Sequence, residues 1–278
     1  MSVLTGLQPA NVFRFFEEIC GIPHGSGNVG QISDYLVSFA AEHGLRCIQD
    51  ELNNVIFFQE GTCGLEDHPT VILQGHSDMV CEKDADCPID METEGLDVTH
   101  DGKMVFAKGT TLGADDGIGV AAIMAVLEAT DLVHGPLEAL ITADEETCMY
   151  GVNHLAEDTL KGDILLNIDN ETMGEFVIGS AGGVNISATM QYKEVEPEEG
   201  DVAVKVTLKN LRGGHSGLEI NQGRANANKL MARFVRQAIA DDEARLASWS
   251  GGNMRNAIPR TAQVVLTVPA ENLEDLKD

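Results

Sequence analysis

The chain has 278 residues, and 45 acidic against 18 basic side chains give it a formal net charge of −27. This excess of negative charge disfavours nucleic acid and anionic membrane surfaces as partners, because like charges repel. No apolar run approaches the ~20 residues that a membrane-spanning helix needs, and the N-terminal residues lack the pattern of a secretory signal. The six cysteines form no CxxC pair, which predicts reduced thiols and a cytoplasmic protein.

Helical and extended patterns alternate along the first two thirds of the chain. The helical segments are 12–23, 28–44 and 117–130, and the extended or apolar ones are 53–60, 70–80, 137–143 and 163–171. Such alternation predicts an α/β fold, with a mainly parallel sheet covered by helices.

The pattern changes near residue 182, where we place a boundary between domains 1–182 and 183–278. Beyond it the sequence predicts two half-exposed antiparallel strands, a long helix and a further strand, at 185–195, 201–211, 224–247 and 261–269. Strands and helices grouped in this way predict a second, smaller α+β domain.

Four segments carry side chains of the types that bind metal ions, each just after an apolar strand or at a glycine-rich turn. They are GHSDM with His76 and Asp78, GADDG with Asp115 and Asp116, ADEE with Glu145 and Glu146, and NIDNE with Asp169. Each motif alone also fits a structural role, such as a helix cap or a solvated acidic loop. Their joint occurrence favours one site, because ligands of open α/β sheets bind at the carboxyl ends of strands. One imidazole and several carboxylates suit Zn²⁺, and two divalent ions would offset the repulsion among the acids.

The motifs GHSDMV, GADDGIG, ADEE and IDNE, in this order, resemble the aminoacylase and carboxypeptidase-type family of di-zinc metallopeptidases. Longer stretches, IPHGSGN, LQGHSDMVCEK, ADEETCMYG, RGGHSGLEI and GGNMRNAIPR, are similar to its aminoacyl-histidine (Xaa-His) dipeptidases. The resemblance implies hydrolysis of small peptide substrates, dipeptides of the Xaa-His type. It also implies a homodimer and two divalent metal ions, Zn²⁺ first, with Co²⁺ or Mn²⁺ as alternatives.

The resemblance also implies a role for each residue of the predicted site. His76 and Asp169 bind one ion, Glu146 binds the other, and Asp115 bridges the two and precedes a cis peptide bond. Asp78 orients His76, and Glu145 is the general base towards a water that the ions activate. The residues alone leave open which of the two adjacent glutamates faces the metal, since neighbours in an extended chain point to opposite sides.

In the second domain, the glycines around His215 allow close approach of the backbone to a ligand. The resemblance makes His215 a substrate and oxyanion contact, and makes Asn256 and Arg260 substrate-binding residues. His24, in IPHGSGN, we interpret as a structural brace for the first helices rather than a metal ligand.

One family feature is missing from the sequence. The family supplies a last metal-ligand His near its C-terminus, whereas this chain has no His after His215. We therefore expect an N-terminal portion of a longer protein, incomplete in its catalytic sheet and inactive alone. The alternatives are a related di-zinc tripeptidase, N-acyl amino acid deacylase or aminopeptidase, and a non-catalytic fragment. A calcium site is disfavoured, because the spacings fit no EF-hand loop.

Overall fold

The computed structural model of the chain describes residues 3–84, 86–170, 172–180, 182, 184, 186–217, 219–252, 254 and 257–277, with only the main chain of Cys148. The chain divides into two units, Met1–Ala181 and Gly182–Asp278.

The first unit contains seven strands and five helices in its described residues. The strands are β1 Arg46–Gln49, β2 Val55–Gln59, β3 Val71–His76, β4 Val98–His100, β5 Val105–Ala107, β6 Leu137–Thr142 and β7 Ile164–Asn167. The helices are α1 Ala10–Cys20, α2 Gly30–Glu42, α3 Ala114–Glu128, α4 Glu145–Cys148 and α5 Tyr150–Asn153. Strands β4 and β5 form a separate hairpin.

The other five strands form one sheet in the order β1-β2-β6-β3-β7. Strand β3 pairs in parallel with β6 and β7, and β2 pairs antiparallel with both β1 and β6. Four of the five strands therefore run in the same direction. The predicted α/β fold with a mainly parallel sheet is confirmed.

Helices α1, α2 and α3 cover one face of this sheet. Helix α3 buries residues at helical spacing, Val120, Ile123, Met124 and Leu127, which forms the apolar stripe expected of a helix packed on a sheet. The strand residues that join this core are Val55, Phe57, Leu73, Ala139 and Ile141. The opposite face carries a smaller cluster around Ile56, Ile72 and Leu140. Among the described residues, no helix is both long and apolar enough to cross a membrane.

The second unit is a three-stranded antiparallel sheet with one long helix. It comprises β8 Asp201–Leu208, α6 Ala227–Asp241, β9 Arg245–Gly251, β10 Ala262–Pro269 and the short α7 Leu273–Lys277. The strand order is β8-β10-β9. The buried face of α6, Met231, Val235 and Ala238, shares a core with alternate residues of β10. This is the packing that a period of two on a strand and 3.6 on a helix favours.

Two predicted elements of the second domain differ from the structure. Described residues 186–195 form no strand, although a strand was predicted for 185–195, and Met190 and Tyr192 are 81% and 78% exposed. A lone extended segment is not stable without neighbours that pair with its backbone, and the described residues supply none. The helix predicted for 224–247 ends at Asp241, and residues 245–251 pair with β10 instead. Strand pairing here overrides helix propensity, which is a weak prior.

Candidate metal centre

The candidate ligands of the first unit come from segments that meet at one edge of the sheet. His76 is the last residue of β3, and Asp169 follows β7. Glu146 lies in the short helix α4, which begins soon after β6. Asp115 stands at the start of α3. Because β3, β6 and β7 are parallel, their carboxyl ends share an edge, as ligand sites in such sheets do.

The side chains are close enough to share a bound cation. His76 Nε2 lies 3.1 Å from Asp115 Oδ1 and 3.8 Å from Asp169 Oδ2. One ligand atom from each of His76, Asp115 and Glu146 lies within 4.8 Å of the other two. The residues predicted as ligands thus form one cluster, with a nitrogen and several carboxylate oxygens as its donors.

The imidazole of His76 is fixed in the orientation that a metal ligand needs. Its Nδ1–H donates to the main-chain oxygen of Asp78 at 2.9 Å, and Asp78 Oδ1 lies 3.4 Å from the same nitrogen. With Nδ1–H bonded in this way, Nε2 faces Asp115 and is the ring atom that could bind a metal ion once it is deprotonated. The main-chain oxygen is the nearer partner, so Asp78 contacts His76 through both its backbone and its carboxylate.

The Asp78 carboxylate also contacts the segment that carries the two glutamates. Its Oδ1 accepts the N–H of Glu145 at 2.9 Å, and its Oδ2 accepts the N–H of Glu146 at 3.2 Å and the hydroxyl of Ser26 at 2.7 Å. Burial alone would raise the pKa of Asp78, but bonds from His76, Ser26 and the Glu145 amide lower it. Asp78 is therefore an ionised acceptor that holds the ends of β3 and β6 together.

Nearby positive groups do not fully neutralise the negative charge of the carboxylates in this cluster. Burial, followed by the charge of Asp115, raises the pKa of Glu146 to about 7 and that of Asp169 to about 6. Burial also raises the pKa of Glu145. Burial would lower the pKa of His76, but the nearby carboxylates raise it to about 10. Repulsion of this kind is what a bound cation removes, so the residues present fit a divalent metal ion.

Asp116 is a part of the site for which the sequence analysis predicts no function. The Asp115–Asp116 bond is cis, as the resemblance implies. Asp116 is 3% exposed, and its Oδ2 accepts the N–H of His76 at 3.2 Å. Burial, followed by the charge of Asp169, raises its pKa to about 7. The glycines of GADDGIG were the signal for this packing, because a Cβ on Gly119 would overlap the Asp116 carboxylate.

The reasoning about the two adjacent glutamates needs a correction. Glu145 and Glu146 open helix α4 rather than lying in an extended chain, so the rule that neighbours point to opposite sides does not apply to them. Both side chains are half-buried. The change of conformation occurs at Asp144, which has a positive φ of 55°.

The predicted substrate-binding residues lie in the second unit. His215 and Arg260 line a cleft of about 780 Å³ together with Gly214, Ser250 and Thr261. Arg260 Nε donates to the main-chain oxygen of Leu211 at 3.2 Å. Asn256 lies outside the described residues. The predicted brace His24 is buried in the first unit, where its Nδ1–H donates to the main-chain oxygen of Ile22.

Comparisons with known proteins show that the chain is similar to peptidases. Residues 206–278 match a family described as a peptidase dimerisation domain. The chain is 41% identical over 277 residues to the cytosol non-specific dipeptidase of Escherichia coli K12, a match that covers all of this chain and 57% of the relative.

Two solved structures extend the comparison to the fold. The aminoacylhistidine dipeptidase of Vibrio alginolyticus is 40% identical with a TM-score of 0.63, over 99% of this chain and 56% of that one. A tripeptidase from Staphylococcus aureus, 18% identical with a TM-score of 0.52, covers 96% of this chain and 70% of that one, and it shows the fold alone. These findings confirm the resemblance seen in the motifs. The chain spans a little over half the length of both dipeptidases.

Proposed function

We propose that this chain, which is similar over its whole length to dipeptidases, carries the metal centre of an enzyme that hydrolyses dipeptides, Xaa-His dipeptides among them. One observation carries the proposal. His76, Asp115 and Glu146 come from three separate segments, and each offers a ligand atom within 4.8 Å of the other two. The same residue types at unrelated surface positions would have no reason to converge at the ends of parallel strands.

In this proposal His76 and Asp169 would hold one divalent ion, Glu146 would hold the second, and Asp115 would be a ligand of both. The donor set of one imidazole and several carboxylates is suited to Zn²⁺, with Co²⁺ and Mn²⁺ as alternatives. Bound ions of this kind supply Lewis acidity and lower the pKa of water. The raised pKa values of Glu146 and Asp169 support the assignment, because burial and repulsion from neighbouring carboxylates outweigh the positive charge of His76.

Glu145 acts as the general base in the proposed reaction. It takes a proton from the attacking water while the water oxygen bonds to the peptide carbonyl carbon. It then gives that proton to the leaving nitrogen as the C–N bond breaks. The raised pKa of Glu145 suits a carboxylate that must hold the proton between the two steps. Asp78 supports this role by binding the Glu145 amide at 2.9 Å.

The second unit contributes substrate contacts in this proposal. His215 binds the substrate and its oxyanion, and Arg260 and Asn256 bind the polar ends of the dipeptide. The cleft that His215 and Arg260 line supports the role of these two residues. We assign 1–182 as the metallopeptidase catalytic domain and 183–278 as the lid and dimerisation domain. The match of 206–278 to a peptidase dimerisation domain supports a homodimer, and the name of the Escherichia coli relative supports a cytoplasmic location.

Hydrolysis of β-alanyl-histidine and glycyl-histidine by the complete gene product tests the proposal. We expect activity that is lost with a chelator, restored by Zn²⁺, Co²⁺ or Mn²⁺, and absent in Glu145→Ala. Hydrolysis that survives both chelation and Glu145→Ala would overturn the mechanism.

A substrate panel separates the dipeptidase from its alternatives. The names of the two dipeptidase relatives indicate different substrate ranges. One is called a non-specific dipeptidase, and the other is called an aminoacylhistidine dipeptidase. The panel therefore contains dipeptides with and without a C-terminal His, a tripeptide and an N-acyl amino acid. Preference for either of the last two would favour a tripeptidase or a deacylase over a dipeptidase, and inactivity on every substrate would favour a non-catalytic protein.

A further inference from the structure

Residues 24–27, His-Gly-Ser-Gly, form a loop that runs beside the end of β3. The Met79 N–H donates to the main-chain oxygen of His24 at 3.1 Å, and the Ser26 N–H donates to the main-chain oxygen of Met79 at 3.2 Å. These two bonds join the loop to Met79, the residue that directly follows Asp78 in the chain.

The same loop also contacts the segment that leads to the glutamate pair. The Gly27 N–H donates to Asp144 Oδ1 at 2.6 Å. Asp144 directly precedes Glu145 and has a positive φ. The loop 24–27 therefore binds to both of the strand ends that Asp78 connects.

Within this loop, Ser26 contributes a hydrogen bond from its side chain to the buried Asp78 carboxylate. Its hydroxyl donates to Asp78 Oδ2 at 2.7 Å, while the amides of Glu145 and Glu146 donate to the same carboxylate at 2.9 and 3.2 Å. The hydroxyl contact is the shortest of the three. Without it, Oδ2 would keep only the longer bond from Glu146, and the carboxylate would be less restrained in its rotation about the Cβ–Cγ bond.

We propose that Ser26 is a positioning residue of the metal centre, an inference that rests on the proposed function. Its hydroxyl holds the Asp78 carboxylate in the rotation that accepts the amides of Glu145 and Glu146 and that places Oδ1 3.4 Å from His76 Nδ1. Loss of a direct partner of a metal ligand typically costs roughly 10–100-fold in metal affinity, and Ser26 acts through such a partner, Asp78. Ser26 touches neither the metal nor the substrate in this scheme.

Zinc affinity of the protein, measured by calorimetry alongside the melting temperature of the metal-free form, tests the inference. We expect Ser26→Ala to weaken Zn²⁺ binding by roughly 10-fold or more, and Ser26→Thr, which keeps the hydroxyl, to restore most of it. Ser38→Ala is the matched control, because Ser38 is exposed on helix α2 and its hydroxyl donates to the main-chain oxygen of Asp34 within the same helix. If Ser26→Ala does not fold, Ser26→Cys, a weaker donor, takes its place, with an expected affinity below that of Ser26→Thr.

The outcomes separate this inference from the proposed function. Equal zinc affinity in the wild type and the folded Ser26→Ala or Ser26→Cys variant would overturn the role of Ser26 and leave the metal centre standing. Wild-type protein that binds no Zn²⁺ would overturn both. A weakened variant that Ser26→Thr fails to restore would also contradict the role, because the effect would then not come from the hydroxyl.

Discussion

Asp78 lies at the centre of the hydrogen bonds that organise the candidate metal centre. It is buried, it contacts His76 through its backbone and its carboxylate, and it binds two amides of the glutamate segment. The sequence predicts its contact with His76, because the two residues are adjacent in one motif. Its bonds to residues 145 and 146 link positions far apart in the chain, which spacing alone does not predict.

We expect replacement of the two adjacent glutamates to have different effects, one on the rate of hydrolysis and the other on metal affinity. Glu145→Gln removes the proposed general base, so we expect kcat to fall by ~10²–10⁴-fold while Zn²⁺ affinity stays close to that of the wild type. Glu146→Gln removes a proposed ligand, so we expect metal affinity to fall by more than the ~10–100-fold typical of outer partners. Calorimetry with Zn²⁺ and steady-state kinetics on glycyl-histidine measure the two effects, and a reversed pattern would exchange the two roles.

Zinc binding is expected to strengthen as the pH rises from about 5.5 to about 7.5. Glu146, Asp169 and His76, with pKa values raised to about 7, about 6 and about 10, must release protons before they bind a cation. Calorimetry in buffers of different ionisation enthalpy measures the protons released. Affinity that is independent of pH in this range would contradict the assignment of these three ligands.

The metal-free protein is expected to show the opposite dependence on pH. The pKa of Asp116 is raised from 3.8 to about 7, so the folded chain keeps a proton that the unfolded chain releases near pH 4. This contribution to stability is complete below about pH 4 and is lost as the pH rises through about 7. Glu146 and Asp169 act in the same direction. We therefore expect the melting temperature of the chelator-treated protein to fall across this range, and a rise would contradict the shifts.

At the scale of secondary structure, the local sequence pattern predicts a helix or a strand correctly where the fold buries the apolar residues of that pattern. Helix α3 and strand β6 are examples, because their apolar residues face the central core. Residues 245–251 were missed because their pairing with strand β10 becomes apparent only in the fold, although β10 itself was predicted. The single helical turn at Glu145 was missed for a similar reason, since bonds to Asp78 fix its start. The ligand types could thus be predicted, but their exact orientation could not.

We expect any side chain at Gly119, near the start of helix α3, to destabilise the protein. In a helix interior, Gly→Ala normally stabilises by roughly 0.5–1 kcal/mol. Here the added Cβ would overlap the Asp116 carboxylate, and overpacking costs roughly 1–3 kcal/mol. We therefore expect Gly119→Ala to lower the melting temperature and the Zn²⁺ affinity.

Gly30→Ala is the matched control for that substitution. Gly30 is exposed at the start of helix α2, and a Cβ there would meet no atom within 4 Å. We expect its melting temperature and Zn²⁺ affinity to equal or exceed those of the wild type. A Gly119→Ala variant as stable and as zinc-competent as Gly30→Ala would show that Asp116 is not packed as described.

We expect the ion pair between Arg224 and Glu219 to hold the loop that carries His215 in its conformation. The Arg224 side chain is 10% exposed, it pairs with Glu219, and it donates to the main-chain oxygen of Gly213 at 2.8 Å. Glu219 Oε2 in turn accepts the N–H of His215 at 2.9 Å. Arg224→Ala should release Glu219 and speed hydrogen exchange at the His215 amide by roughly tenfold.

The control for this substitution is Arg233→Ala, which changes an exposed arginine on helix α6. Hydrogen exchange of the 213–219 segment, followed by mass spectrometry, should match the wild type in this variant. Equal exchange in Arg224→Ala and the wild type would show that the ion pair does not hold the loop.

At the scale of the whole molecule, the net charge of −27 makes acidic side chains poor markers of a site. Position distinguishes the functional candidates from the rest. The carboxylates at 115, 116, 146 and 169 gather around one buried imidazole at the edge where parallel strands end. Other described acids accept backbone N–H groups, as Asp101 and Glu138 do, or pair with a surface cation, as Asp97 does, which are structural roles. The candidate metal centre therefore depends on the fold, and composition alone does not reveal it.

Anomalous X-ray diffraction at the zinc edge, from crystals of the protein grown with Zn²⁺, tests this account most directly. We expect zinc peaks within bonding distance, about 2.0–2.2 Å, of His76 Nε2 and of carboxylate oxygens of Asp115, Glu146 and Asp169. Crystals in which these side chains bind no zinc, or in which zinc binds only at other acidic surface positions, would contradict it.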